Sequence, residues 1–407
     1  MQARLGGARR AMGHAIARRM PLNPFANSIS VRCDAKRRAR ERSLGGKPGD
    51  DAAGSARAAL FKGGIIVSIS ILRRIGAAAF ALIVGLCAAL AIPPARAATE
   101  HTSLAIPAYV VLFLAEYVAE DQHLYEQQGL DVKVQFIAGV GAMNAVIAGS
   151  TDFSMSSGGS LTRAAAHGQN LLAIANMGNQ NGQYIVLRKD EADAAHFDPN
   201  APLAERAKIL KGKTIGIDAM QSVVHSIVRV VAKVGGLDPE SVTVTPMQPA
   251  DTLSAFARHA IDGFAAGPPW PQQVVTNGTA VIVSDGAKGE PMEFSPIGSV
   301  MLVTRPQFCA DHRSICVKMG RGLAAGAKFI HDDPAQALAL MKRHFSKIDP
   351  AVIDRAFKVV QLGTPVPPKM TEAVLANSER LNIESGLMPA SDRLKSYDGL
   401  FTDDYVR

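Results

Sequence analysis

Cysteine and tryptophan are scarce in this sequence and its histidines are scattered, which excludes several kinds of chemistry. The 407 residues include four cysteines and one tryptophan, and no cysteine pair has the spacing of a metal site. His123, His167, His225 and His259 are scattered singly, so each reads as a surface or core residue and not as a catalyst. No Ser-His-Asp spacing, zinc signature or glycine-rich phosphate loop is present, and without a Walker motif the chain is not an ATPase. No catalytic residue, metal ligand or cofactor is expected. Long apolar runs are equally rare, and the one that exists is informative.

Arg73 and Arg74 lead into Ile75–Ile92, an apolar run of 18 residues, followed by Pro93-Pro94-Ala95-Arg96-Ala97-Ala98. A basic stretch, a hydrophobic segment and Ala-x-Ala before a small residue are the three parts of a secretory signal peptide. Residues 71–97 are therefore expected to be a signal peptide cut near Ala97, which puts the working protein outside the cytoplasm. Two other readings stay open. The run also reaches the lower limit for a membrane-spanning helix, although Pro93-Pro94 and the small Ala95 and Ala97 favour cleavage. Cys87 suggests a lipoprotein, although Leu86 is bulky where the lipoprotein peptidase needs a small residue. Residues 1–70 form an extension before the signal. Its first 57 residues are rich in Arg, Ala and Gly without helical or strand period, and read as disordered. A signal's basic region belongs at the start of a chain, so translation is expected to begin near Val67 through a non-Met codon. The alternative, a basic tail that binds nucleic acid, sits badly with export.

The formal charge of +8 belongs to the discarded part. Of 44 Lys and Arg residues 17 lie before Ala98, and of 36 Asp and Glu residues only 4, which leaves 27 basic against 32 acidic and a net charge of −5. That surface has no basic patch to argue for a nucleic-acid partner. About 310 residues remain, enough for two domains each with its own core. Cys309 and Cys316, seven residues apart, are either a disulfide closing a small loop in an oxidising compartment or two buried thiols.

Along the remaining chain, strand-like runs at 103–106, 131–136, 152–155 and 171–176 alternate with helical patterns at 111–127, 139–148 and 161–167. The rhythm restarts with strands at 213–217, 242–245, 262–265 and 280–284 and helices at 222–234, 251–258 and 270–276. Lys189–Arg206, between the two units, reads as a crossing or a surface insertion. A further strand at 298–304 precedes helices at 311–331, 334–344, 350–362 and 369–385. The fold class is α/β: two lobes, each a mostly parallel sheet flanked by helices, with a hinge and a cleft between them. The expected division is 98–188 with 296–407, including the C-terminal helices, as lobe one and 189–295 as lobe two.

Four segments carry a resemblance. They are Tyr125-Glu126-Gln127-Gln128-Gly129-Leu130-Asp131-Val132, Gly141–Phe153 with its Gly149-Ser150-Thr151-Asp152-Phe153 end, Leu210-Lys211-Gly212-Lys213-Thr214-Ile215-Gly216-Ile217, and Ile261–Trp270. With them the chain, from Thr99 to about Asn382, resembles the periplasmic solute-binding proteins of ABC importers, in the family for nitrate, sulfonates, taurine and the thiamine pyrimidine precursor. The resemblance implies the type II periplasmic-binding-protein fold, a periplasmic location, a monomer, and an ABC permease and ATPase in the inner membrane as partners. It implies a small organic or inorganic anion or a heteroaromatic solute as ligand, and no enzymatic activity. Two other functions remain: an enzyme on this fold, whose relatives include a desulfinase with a nucleophilic cysteine and a pyrimidine synthase, and a ligand-sensing module with a separate signalling partner. Cys309 and Cys316 fall away from the strand-to-helix turns, which speaks against a cysteine mechanism.

Strand-to-helix turns are where such a ligand is held, because helix starts turn free N–H groups outward at the carboxyl ends of the strands. The candidates are Ala108 and Tyr109 in the first turn, and Gly141 and Ala142 in the second, where glycine allows close backbone approach. Ser156, Ser157 and Gly158 form a hydroxyl-rich third turn suited to an anion or amide. Gln221 and Ser222 open the second lobe's first helix, and Pro268 and Trp270 add an aromatic wall. Arg163, one turn into the helix after Gly158, either meets an acidic group or lies on a solvated face. Few charges sit in these loops, which favours a neutral or singly anionic solute with an apolar part.

Overall fold

Short runs of Val, Ile, Leu and Ala separated by amphipathic helices build two five-stranded sheets in a computed structural model, which describes residues 98–406. The expected extension at 1–70 and the expected signal peptide at 71–97 lie outside the described residues. The first sheet has the order β2-β1-β3-β10-β4, with β1 at Glu100–Ile106, β2 at Leu130–Phe136, β3 at Phe153–Ser156, β4 at Leu172–Gly178 and β10 at Val300–Thr304. The second has the order β7-β6-β8-β5-β9, with β5 at Tyr184–Arg188, β6 at Thr214–Ile217, β7 at Thr243–Pro246, β8 at Gly263–Ala266 and β9 at Ala280–Ser284. β1 pairs in parallel with β2 and β3, and β6 in parallel with β7 and β8. One strand in each sheet runs against the rest: β10 between β3 and β4, and β5 between β8 and β9. Each is the first strand laid down after the chain changes sheets. The mixed α/β two-lobe fold is therefore present, with the same strand order in both lobes.

The chain crosses earlier than the sequence suggests. Tyr184–Arg188 pairs with β8 and β9 in the second sheet, so the passage between sheets is 179–183 and not a boundary at 188. Lys189–Arg206, read as a crossing or insertion, instead carries two short helices of the second lobe, Lys189–Ala194 and Leu203–Ala207. Arg206 from this segment is buried and reaches Glu290 at 2.6 Å. The return passage lies beside the first: Asn181 Nδ2 donates to Glu290 O at 2.6 Å, and the Ile297 amide donates to Asn179 O at 2.9 Å. Two adjacent crossing segments, cross-linked by hydrogen bonds, are a hinge in the mechanical sense.

Six helices position the site: α1 at Leu114–Asp121, α2 at Gly141–Ile147, α3 at Gly158–Ala166, α4 at Val223–Val234, α5 at Trp270–Thr276 and α6 at Glu372–Ser385. Two of them start at a serine. Ser157 Oγ accepts from the Ser160 amide and Ser222 Oγ from the His225 amide, each at 3.2 Å, which satisfies a free donor in the first turn of α3 and of α4. α4 buries Val224, Ile227, Val228 and Val231 on Ile215 and Ile217 of β6. α6 packs on both lobes, against α3 and α4. Cys309 and Cys316 are joined in a disulfide with Cα atoms 5.6 Å apart, inside the first lobe's core.

Candidate functional site

The strand ends of the two sheets face one another across a cavity. The first lobe lines it with Pro107, Ala108 and Val110 after β1, with Gly139 and Val140 after β2, and with Met155, Ser156, Ser157 and Ser160 at the β3–α3 turn. The second lobe contributes Asp218 after β6, Ser222, Val223 and Val224 at the start of α4, and Ala266 and Gly267 after β8. Gln183 and Ser299 enter from the two crossings, Val300 from the start of β10, and Leu112 and Phe113 close the apolar side. This is the position at which open α/β sheets hold ligands.

The lobes touch around the cavity. The Val111 amide donates to Pro268 O and Trp270 Nε1 donates to Tyr109 O, both at 3.3 Å. Gly139 has φ +55° and lies so close to the second lobe that a Cβ there would stand 2.5 Å from the Cβ of Ala219. Only glycine suits both the left-handed backbone and the contact. Arg163, 7% exposed, donates through Nη1 to Asn382 Oδ1 at 2.7 Å and through Nη2 to the carbonyl of Gln221 in the second lobe. It neither meets an acidic group nor lies on a solvated face, as the sequence reading had it. Burial lowers its pKa to about 10, which leaves it charged near neutrality.

Of the residues singled out in the sequence, Ala108, Ser156, Ser157 and Ser222 line the cavity. The others stand beside it. Tyr109 turns outward, and its hydroxyl is 3.0 Å from His344 Nδ1. Gly141 faces Ile137, and Ala142 is buried at 1% exposure in the helix behind the turn. Gly158 backs onto α6, where a Cβ would stand 2.5 Å from Ser378 Oγ. Gln221 points its side chain to solvent while its amide donates to His225 Nδ1 at 3.0 Å. Pro268 and Trp270 act at the rim as contacts between lobes, so the aromatic wall expected at Trp270 is absent from the lining. His225 also serves the turn: burial holds its imidazole down to about 4, neutral and accepting.

Two further polar residues line the cavity: Asp218, which opens the turn that the sequence singles out at Gln221 and Ser222, and Gln183, which the sequence does not single out. Gln183 is 5% exposed, and its Oε1 has no hydrogen-bond partner. Asp218 accepts at Oδ1 from Ser222 Oγ at 2.6 Å and from the Ala219 amide at 2.8 Å. Burial raises its carboxyl above the ordinary value, while the Ser222 and Ala219 bonds pull it back. No lysine, arginine or histidine lines the cavity, and no ion pair among the described residues involves Asp218. No cluster of His, Cys, Asp or Glu among the described residues suits a metal ion.

The NMT1/THI5-like family model matches residues 112–337. The chain belongs to this family. No curated protein matches it. Among solved structures, the alkanesulfonate-binding protein SsuA from Xanthomonas axonopodis pv. citri, bound to MOPS, is 18% identical with a TM-score of 0.58, over 72% of this chain and 96% of that one. The periplasmic aliphatic sulphonate binding protein SsuA from Escherichia coli is 17% identical with a TM-score of 0.54, over 71% of this chain and 94% of that one. The periplasmic nitrate-binding protein NrtA from Synechocystis PCC 6803 is 16% identical with a TM-score of 0.57, over 76% and 87% of the two chains. At these identities the likeness is one of fold. It places this NMT1/THI5-like chain on the architecture of periplasmic solute-binding proteins.

Proposed function

We propose that this protein is the periplasmic solute-binding component of an ABC importer. It takes a small solute into the cavity between its lobes and hands it to a membrane permease, whose ATPase partner supplies the energy. The observation that carries this reading is a cavity lined from both lobes and from both hinge strands, with the lobes in contact around it. A ligand touching both lobes favours their closed arrangement, because those contacts exist only there, and a permease can then read closure as a loaded state. The signal peptide expected at 71–97 supplies the route to the periplasm. A cysteine-based reaction finds no support, since Cys309 and Cys316 are tied to each other away from the cavity.

A thermal-shift screen of the purified exported protein tests the reading. The panel holds nitrate, taurine, an alkanesulfonate, and the amide, amidine and carboxylate of one aromatic ring. A ligand bound only by the folded form raises the melting temperature. The expected result is a concentration-dependent rise with at least one solute, which is recovered unchanged afterwards. Turnover of the bound solute would favour an enzyme, and no rise with any member would remove the support for solute capture.

A further inference from the structure

Beside the serine hydroxyls of its turns, the cavity holds one carboxylate, one unpartnered carboxamide oxygen and no cationic side chain. Gln183 presents an unpartnered Oε1 from a side chain 5% exposed, at the passage between the lobes. Asp218 presents a carboxylate from the second lobe, and both of its side-chain bonds to neighbours end on Oδ1. No hydrogen bond from another described residue reaches Oδ2. A buried acceptor without a donor costs free energy, and a carboxylate without a cation costs more. A bound oxyanion would add a like charge beside Asp218. A ligand with N–H groups removes both costs at once, and the Met155, Val223 and Val300 side chains accept an apolar body.

We propose that the cavity selects solutes whose polar head donates N–H groups, such as a primary amide, an amidine or a protonated amine on an apolar body, and discriminates against oxyanions, with Asp218 and Gln183 as the two acceptors that read the head. This rests on the cavity being the solute site. Benzamidine, benzamide and benzoate form a fitting set of probes, because they share one ring and nearly one shape and differ only in donors and charge.

Calorimetry or ligand-observed NMR on the exported protein gives the test. Wild type is expected to bind benzamidine and benzamide at least about tenfold more tightly than benzoate. Asp218→Asn keeps the shape and removes the charge. It is expected to weaken benzamidine about tenfold and to narrow its lead over benzoate. Gln183→Met is expected to weaken benzamide and benzamidine together. Benzoate bound as tightly as benzamide by wild type overturns the proposal, and so does the absence of binding by either donor probe up to about 10 mM. The wild-type comparison needs no variant to fold. Tight binding of benzoate or nitrate that also draws the lobes together would overturn donor selection and leave solute capture standing. Failure of every solute to draw the lobes together would overturn both.

Discussion

Replacing Glu116 by Gln is expected to raise stability at pH 7 by about 3 kcal/mol, roughly 1.36 kcal/mol for each pH unit above the ordinary carboxyl value. Glu116 sits in α1 at 0% exposure, and neither carboxylate oxygen has a partner. Burial raises its pKa from 4.5 to about 8, and the nearby Glu120 and Asp121 push in the same direction. The folded protein thus holds a proton that the unfolded chain releases from pH 4.5 upward. This site's penalty is absent below 4.5, grows as pH rises, and levels off near 8. Gln keeps the shape and has no proton to lose. Urea unfolding at pH 5, 7 and 8.5 checks the expectation: the advantage of Glu116→Gln grows across that window. An advantage that stays constant with pH would mean that Glu116 is already ionised in the folded state.

Arg163→Met is expected to weaken solute binding by about tenfold to a hundredfold, the loss that goes with one or two charged hydrogen bonds. The guanidinium reaches from α3 of the first lobe to the carbonyl of Gln221 in the second, and to Asn382 of the helix that packs on both. Gln221 is a non-glycine residue at φ +61°, so the turn it forms needs holding. Its amide is held by His225 and its carbonyl by Arg163. The bond between lobes exists only when they are together, so its loss falls on the closed form. Calorimetry on the variant, with small-angle scattering to follow its dimensions, separates this from a general loss of stability. Lower melting temperature with unchanged affinity and dimensions would reduce Arg163 to a packing role.

Much of the fold is written in local pattern. The strand-helix rhythm, the glycine stops and the serine caps at Ser157 and Ser222 are short-range signals, and both lobes follow from them. The sheet that β5 joins is not local. Tyr184–Arg188 is a fully buried run, and its choice of β8 and β9 depends on residues far ahead in the chain. The site was legible to the level of the loop and less so to the level of the side chain. Ala108, Ser156, Ser157 and Ser222 line the cavity, whereas Tyr109, Gly141, Ala142, Gly158, Gln221, Pro268 and Trp270 stand one to three positions away. Within a tight turn, neighbouring residues point to opposite sides, and periodicity does not resolve which side faces the partner lobe. Asp218 had a signal available, as the residue directly after β6 in a turn already singled out. Gln183 had only a weak one: a polar residue just ahead of the apolar Tyr184–Leu187 run.

Closure of the lobes around a solute is tested most directly by the emission of Trp270, the single tryptophan of the chain. Its ring belongs to α5 of the second lobe, while its Nε1 donates to Tyr109 O at 3.3 Å and its ring packs edge-to-face with that of Phe345, centroids 6.3 Å apart, both partners in the first lobe. Titration with benzamide is expected to give a saturable blue shift, with the same midpoint as calorimetry, as the indole loses water against its new neighbours. Benzamide bound by calorimetry with the Trp270 emission unchanged would contradict closure around the ligand.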